Sequence, residues 1–163
     1  MGTVESIDDK ELVIQFIQEK YNPSKFPEAW NMHAVKFFAT QYRGTTQVDL
    51  REQMLEVILE LAELEKTRRF VAETLGEHML SNLSQEVSSI VIKNILNVLT
   101  HLFFDASNTR LIFTDAGIKA LQLTASEIQC LPDADAVFEA YFLVVYMGAL
   151  EGTAKCFAVY QNG

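Results

Sequence analysis

The chain has 163 residues, 49% apolar and 21% charged, with 22 acidic against 13 basic side chains and a formal net charge of −9. Enough apolar surface is present for one packed domain, which excludes a compositionally disordered chain. The carboxylate excess excludes nucleic acid as the expected partner, since phosphate recognition needs clustered Lys and Arg and the one tight basic group is Lys66, Arg68 and Arg69.

Helix signals follow one another along the chain. Ser6 with Asp8 and Asp9 predicts an N-cap and an acidic first turn. Behind it, Leu12, Ile14, Phe16 and Ile17 recur near the helical period until Asn22-Pro23 stops the pattern. Pro27 and Glu28 predict the start of a second helix, with Trp30, Ala34, Phe37 and Phe38 on its buried stripe. Gly44-Thr45-Thr46 breaks that pattern, and long apolar helices are expected over residues 48–66, 87–104 and 134–150. No segment alternates with period two, so the expected fold class is all-α.

The sequence repeats itself. Residues 67–76 and 108–117 align at an offset of 41, pairing Arg69 with Arg110, Gly76 with Gly117 and Leu80 with Leu121. A third, looser copy occupies residues 152–160 at an offset near 45. Each copy follows one of the long apolar helices. Met54, Leu55, Ile58 and Leu61 fall on Ile95, Leu96, Leu99 and Leu102 at the first offset, and these on Ala140, Tyr141, Val144 and Met147 at the second. A period of roughly 40–47 residues is that of helical solenoids, in which stacking neighbours buries faces that no single unit buries alone. Gly76 and Gly117 are expected to turn the chain sharply between two short helices, through positive φ.

The run Asn108-Thr109-Arg110-Leu111-Ile112-Phe113-Thr114-Asp115-Ala116-Gly117-Ile118-Lys119-Ala120-Leu121 resembles the armadillo signature: Asn-Arg, two apolar positions, a Gly turn, Ile, then Leu. Leu96 to Leu102 resembles the family's third helix, and the likeness covers residues 48–160. It implies a right-handed superhelical stack of about three armadillo-like repeats over residues 45–163, the last incomplete, preceded by an N-terminal helical pair over residues 1–44 acting as a cap or degenerate repeat.

The resemblance also implies a function. Third helices of armadillo proteins line a concave groove, where an Asn on each clamps an extended peptide. The matching positions are Glu60, His101 and Tyr146, none of them Asn, which sets this chain apart from the usual clamp. On the same helix faces lie Gln53 and Glu56, Asn94 and Asn97, and Glu139 and Phe142. Glu52, Glu56, Glu60 and Glu63 form one ridge, suited either to solvent or to a basic segment of a partner. Tyr141, Phe142 and Tyr146 suit either a packed core or interface anchors, and Trp30 suits the core of the N-terminal helix, with a partner anchor as the alternative.

Chemistry of other kinds finds no support. His33, His78 and His101 lack metal-ligand spacing, and no phosphate loop or nucleophile elbow occurs, so neither metal nor cofactor nor catalysis is expected. Cys130 and Cys156 are too few for a secreted disulfide scaffold. The start has no apolar signal region, and the longest apolar run, residues 140–150, falls short of the ~20 residues a membrane span needs. A cytoplasmic protein, with the nucleus also open, is expected. Gly2 and Ser6 match a myristoylation pattern, with no basic cluster to reinforce an anchor. The expected function is a scaffold or adaptor holding a partner protein or peptide. The alternative is self-association through the apolar C-terminal end, where the chain is otherwise continued by further sequence; an enzyme with a non-local Cys/His site is a remote third.

Overall fold

The computed structural model describes residues 7–150, and every regular element among them is helical. In chain order these are α1 (Ile7–Lys20), a 3-10 turn (Pro27–Ala29), α2 (Met32–Gly44), α3 (Val48–Glu63), α4 (Glu65–Val71), a π-helical segment (Ala72–Gly76), α5 (Glu77–Ser81), a 3-10 turn (Leu83–Gln85), α6 (Ser89–Leu102), α7 (Ala106–Ile112), α8 (Asp115–Ile128) and α9 (Ala134–Leu150). The expected cap at Ser6, the third repeat copy at residues 152–160, and Cys156 lie outside the described residues.

Local chemistry explains where the helices begin. Pro27 and Glu28 start only a single 3-10 turn, and α2 begins at Met32, because the Asn31 side chain accepts the Ala34 N–H at 2.9 Å. Ser88 caps α6 by accepting from the Val91 N–H, and Thr114 caps α8 by accepting from Gly117 N–H at 3.1 Å. Helix α3 stops at Glu63, short of the expected residue 66, because Leu64 leaves the helical region with ψ 126°.

Packing follows the offsets of 41 and 45. Helices α3, α6 and α9 pack in chain order, α6 on α3 and α9 on α6, and α1 packs on α3. In a second set, α2 packs on α4, and α5 on α8. Met54, Leu55, Ile58 and Leu61, their α6 counterparts Ile95, Leu96, Leu99 and Leu102, and Ala140, Tyr141 and Val144 on α9 are all buried. They belong to one apolar cluster running from Ile14 to Val145. Each fully buried Leu or Ile contributes roughly 1.5–3 kcal/mol of transfer free energy, which is what holds the long helices together.

The two repeat glycines play a different part from the expected one. Gly76 sits in the right-handed helical region at φ −56°, ψ −53°, within a rod that runs unbroken from α4 through the π segment into α5. The chain does not turn there. A Cβ on Gly76 would lie 2.5 Å from Cδ1 of Ile112, and one on Gly117 would lie 2.6 Å from Cδ2 of Leu80 and 3.2 Å from the Ile112 carbonyl oxygen. At both positions a Cβ would force a packed neighbour, the Ile112 or the Leu80 side chain, to shift. The turn in the second copy lies at Phe113-Thr114 instead, between α7 and α8.

Candidate functional site

Beside the buried stripes, the long helices carry the nine positions matched to the armadillo groove. None of the nine is buried. On α3, Gln53, Glu56 and Glu60 are exposed or half-buried, and two of them are engaged within the chain. Glu56 accepts from Gln18 of α1 at 3.2 Å; Glu60 accepts from Asn22 at 3.2 Å and Ser24 at 2.9 Å. Helix α1 and the loop after it therefore hold the acidic ridge of α3. Its other two carboxylates also have neighbours: Glu52 accepts from Ser88, and Glu63 lies 3.8 Å from Nε2 of His101.

On α6, Asn94, Asn97 and His101 are half-buried. His101 Nδ1 lies 2.9 Å from the Asn97 carbonyl oxygen, and its ring meets Phe104 edge-on at 5.5 Å. On α9, Glu139, Phe142 and Tyr146 are all exposed, Phe142 by 47% and Tyr146 by 56%. Tyr141 turns the other way, fully buried with its hydroxyl donating to the Leu121 carbonyl oxygen. Of the three aromatics left open between core and anchor, one is core and two are accessible. Access thus increases from α3, which the chain itself covers in part, to α9.

A polar network that the sequence reading missed stands behind this strip. The Thr67 hydroxyl donates to the Leu61 carbonyl at 2.6 Å, and Asn108 Nδ2 donates to the Leu102 carbonyl at 3.1 Å. The two pairs are again 41 residues apart, and each brings a side-chain donor to a carbonyl at the end of a long helix. Asn108 also accepts from Arg69 at 2.8 Å, which ties one copy of the repeat to the next. The Thr67–Asn108 alignment was visible, but two different polar residue types in register give no signal for a shared hydrogen bond.

A second cluster joins α2, α3 and the segment before α6. Arg51 donates to both carboxylate oxygens of Glu86, at 2.9 and 2.6 Å, and to the Tyr42 hydroxyl at 3.1 Å. Burial raises the Glu86 carboxyl above its ordinary range despite the Arg51 charge, and burial raises Tyr42 as well. Burial, with Arg43 and Arg51 nearby, lowers His78. The arrangement is a bidentate, partly buried ion pair that fixes the approach of α6 to α3.

The N-terminal helices expose more apolar surface than the sequence predicts. Phe37, placed on the buried stripe of the second helix, is 69% exposed, and Leu12 and Phe16 of α1 are also exposed. Trp30 and Phe38 are buried as expected, the indole donating to the Tyr21 carbonyl at 2.7 Å. Between α1 and α2 lies an open apolar cavity of about 880 Å3, floored by Leu50 and Met54 of α3. A stripe taken at period 3.6 admits both Phe37 and Phe38, and Phe37 is exposed because it lines this open cavity instead of meeting a packing partner, while Phe38 meets Trp30 edge-on.

Among the described residues, no group of three or more His, Cys, Asp or Glu side chains is placed to hold a metal ion. No described helix is long and apolar enough to cross a membrane. No family model, no curated protein and no solved structure matches the chain.

Proposed function

We propose that this chain is a protein-binding module built on an armadillo-like repeat plan, holding a partner protein or peptide along the strip that α3, α6 and α9 share. The observation that carries this reading is the division of the three long helices. Each buries one apolar stripe at the repeat offsets and leaves its three groove-matched positions accessible. A strip that passes from carboxylates through Asn and His to two exposed aromatics offers hydrogen bonding and anchor contacts together. Because Glu56 and Glu60 are held by α1 and its loop, partner contacts concentrate on Asn94, Asn97 and His101 of α6 and on Glu139, Phe142 and Tyr146 of α9. The strip is read for binding and not for catalysis.

The test is recovery of partners from lysate of the native host by the wild-type chain and by an Asn97→Arg, His101→Ala, Tyr146→Ala variant of unchanged helicity. A partner retained by the first and lost by the second supports the strip; equal recovery rejects it. A second reading, self-association, is favoured by the exposure of Leu123, Phe142, Leu143 and Tyr146 on α8 and α9. Light scattering that finds a monomer at all concentrations removes it.

A further inference from the structure

The cavity between α1 and α2 goes beyond the α3–α6–α9 strip, and its form is that of a trough. On the α1 side its lining includes Lys10, Val13, Ile14 and Ile17, the i, i+3, i+4, i+7 stripe of one helix face. On the α2 side it includes His33, Phe37 and Gln41, spaced by four. Helices α1 and α2 each pack on the rest of the molecule, α1 on α3 and α2 on α4, and the gap between them is left open. Each wall runs for about two helical turns, roughly 10–12 Å at 1.5 Å per residue. Phe16 and Phe37 stand exposed at its edges, so apolar surface continues past the cavity itself.

Its charge is opposite to that of the whole molecule. The chain carries a net −9, yet no carboxylate lines the trough, and its ionisable lining groups besides Tyr21 are Lys10 and His33. Lys36 is exposed on α2, three residues on from His33, and Lys20 is exposed on α1, one turn on from Phe16. An apolar trough about two turns long, with Lys10 and no carboxylate in its lining, fits an amphipathic helix whose apolar stripe is flanked by carboxylates.

We propose that the α1–α2 trough binds an amphipathic, acidic-flanked helix of a partner protein, with Phe37 and Phe16 closing over its apolar stripe and Lys10, Lys36 and His33 meeting its flanks. This site is independent of the strip and stands whether or not the strip binds. The test is fluorescence anisotropy of the full chain with two labelled synthetic helices of about 16 residues. Both carry Leu at i, i+3, i+4, i+7, i+8 and i+11; one has Glu flanks and the other Lys flanks. Saturable binding of the Glu-flanked helix, about tenfold tighter than the Lys-flanked one, is expected. Phe37→Ser, at an exposed position that folding does not require, weakens it about tenfold. Lys10→Glu with Lys36→Glu inverts the flank preference. Binding of neither helix, or equal binding by wild type and Phe37→Ser, overturns the proposal. Two other results overturn it by naming a different occupant. One is saturable binding of palmitate with no binding of either helix. The other is self-association abolished by Phe37→Ser, again with no helix bound.

Discussion

Asn108 shows how much one buried side chain decides. Its amide donates to the Leu102 carbonyl at the end of α6 and accepts from the Arg69 guanidinium of the preceding copy of the repeat. Asn108→Ala removes both bonds, while Arg69 keeps Glu73 and Ser107 and the Leu102 carbonyl keeps the Asp105 N–H, so a loss of about 0.5–1.5 kcal/mol in urea unfolding is expected, with the denaturant slope unchanged. His78 acts through pH. Its folded value lies below the ordinary 6.5, so the folded state holds fewer protons than the unfolded chain between those two values. The resulting stability is complete above pH 6.5 and is lost as pH falls through the lower folded value. Glu86, raised from 4.5, works with the opposite sign: its contribution is present at low pH and lost as pH rises through the raised value. The difference between wild type and His78→Gln isolates the histidine. Thermal unfolding midpoints should diverge in favour of the variant as pH drops from 7 to 5; parallel midpoints would show that His78 titrates as it does in the unfolded chain.

The elements were legible to different degrees, for physical reasons. Helix α9 falls where residues 134–150 predict it, because a long apolar run leaves no competing choice. The start of α2 was misread because Pro27 with Glu28 is a good first turn, but the Asn31 cap four residues later sets the true boundary. Gly76 and Gly117 were recognised as significant and given the wrong reason. A glycine answers to a turn and to a close contact alike, and only the position of Ile112 and Leu80 separates the two. That explanation is testable in α4–α5. Gly76→Ala gains up to about 1 kcal/mol of helix propensity and loses about 1–3 kcal/mol to overpacking against Ile112, for a net loss. Combining it with Ile112→Ala removes the clash. The double-mutant cycle should then show a coupling of at least about 0.5 kcal/mol, whereas additive effects would mean that Gly76 is needed for its backbone after all.

At the scale of the molecule, the 41-residue offset carried most of what the sequence told. It placed Leu61 and Leu102 at corresponding buried positions, and the Thr67 and Asn108 caps repeat at the same spacing. The candidate strip was legible to the extent that a helical period separates buried from accessible positions: all nine groove-matched residues stay out of the core. What the period does not contain is tertiary contact. It gave no sign that Gln18, Asn22 and Ser24 would reach across to Glu56 and Glu60, or that α1 and α2 would leave a trough between them. Both facts depend on how residues 7–44 approach α3, for which there was no second copy to compare.

The central claim is that partners bind along α3, α6 and α9, and site-specific photocrosslinking tests it most directly. A benzoylphenylalanine is placed in turn at Asn97, at Tyr146, and at Lys119, an exposed position on α8 outside the strip. Each chain is irradiated in lysate of the native host. A discrete adduct of the same size from positions 97 and 146, absent from 119, is the predicted result. Adducts from 119 alone, or none from 97 and 146, would contradict it.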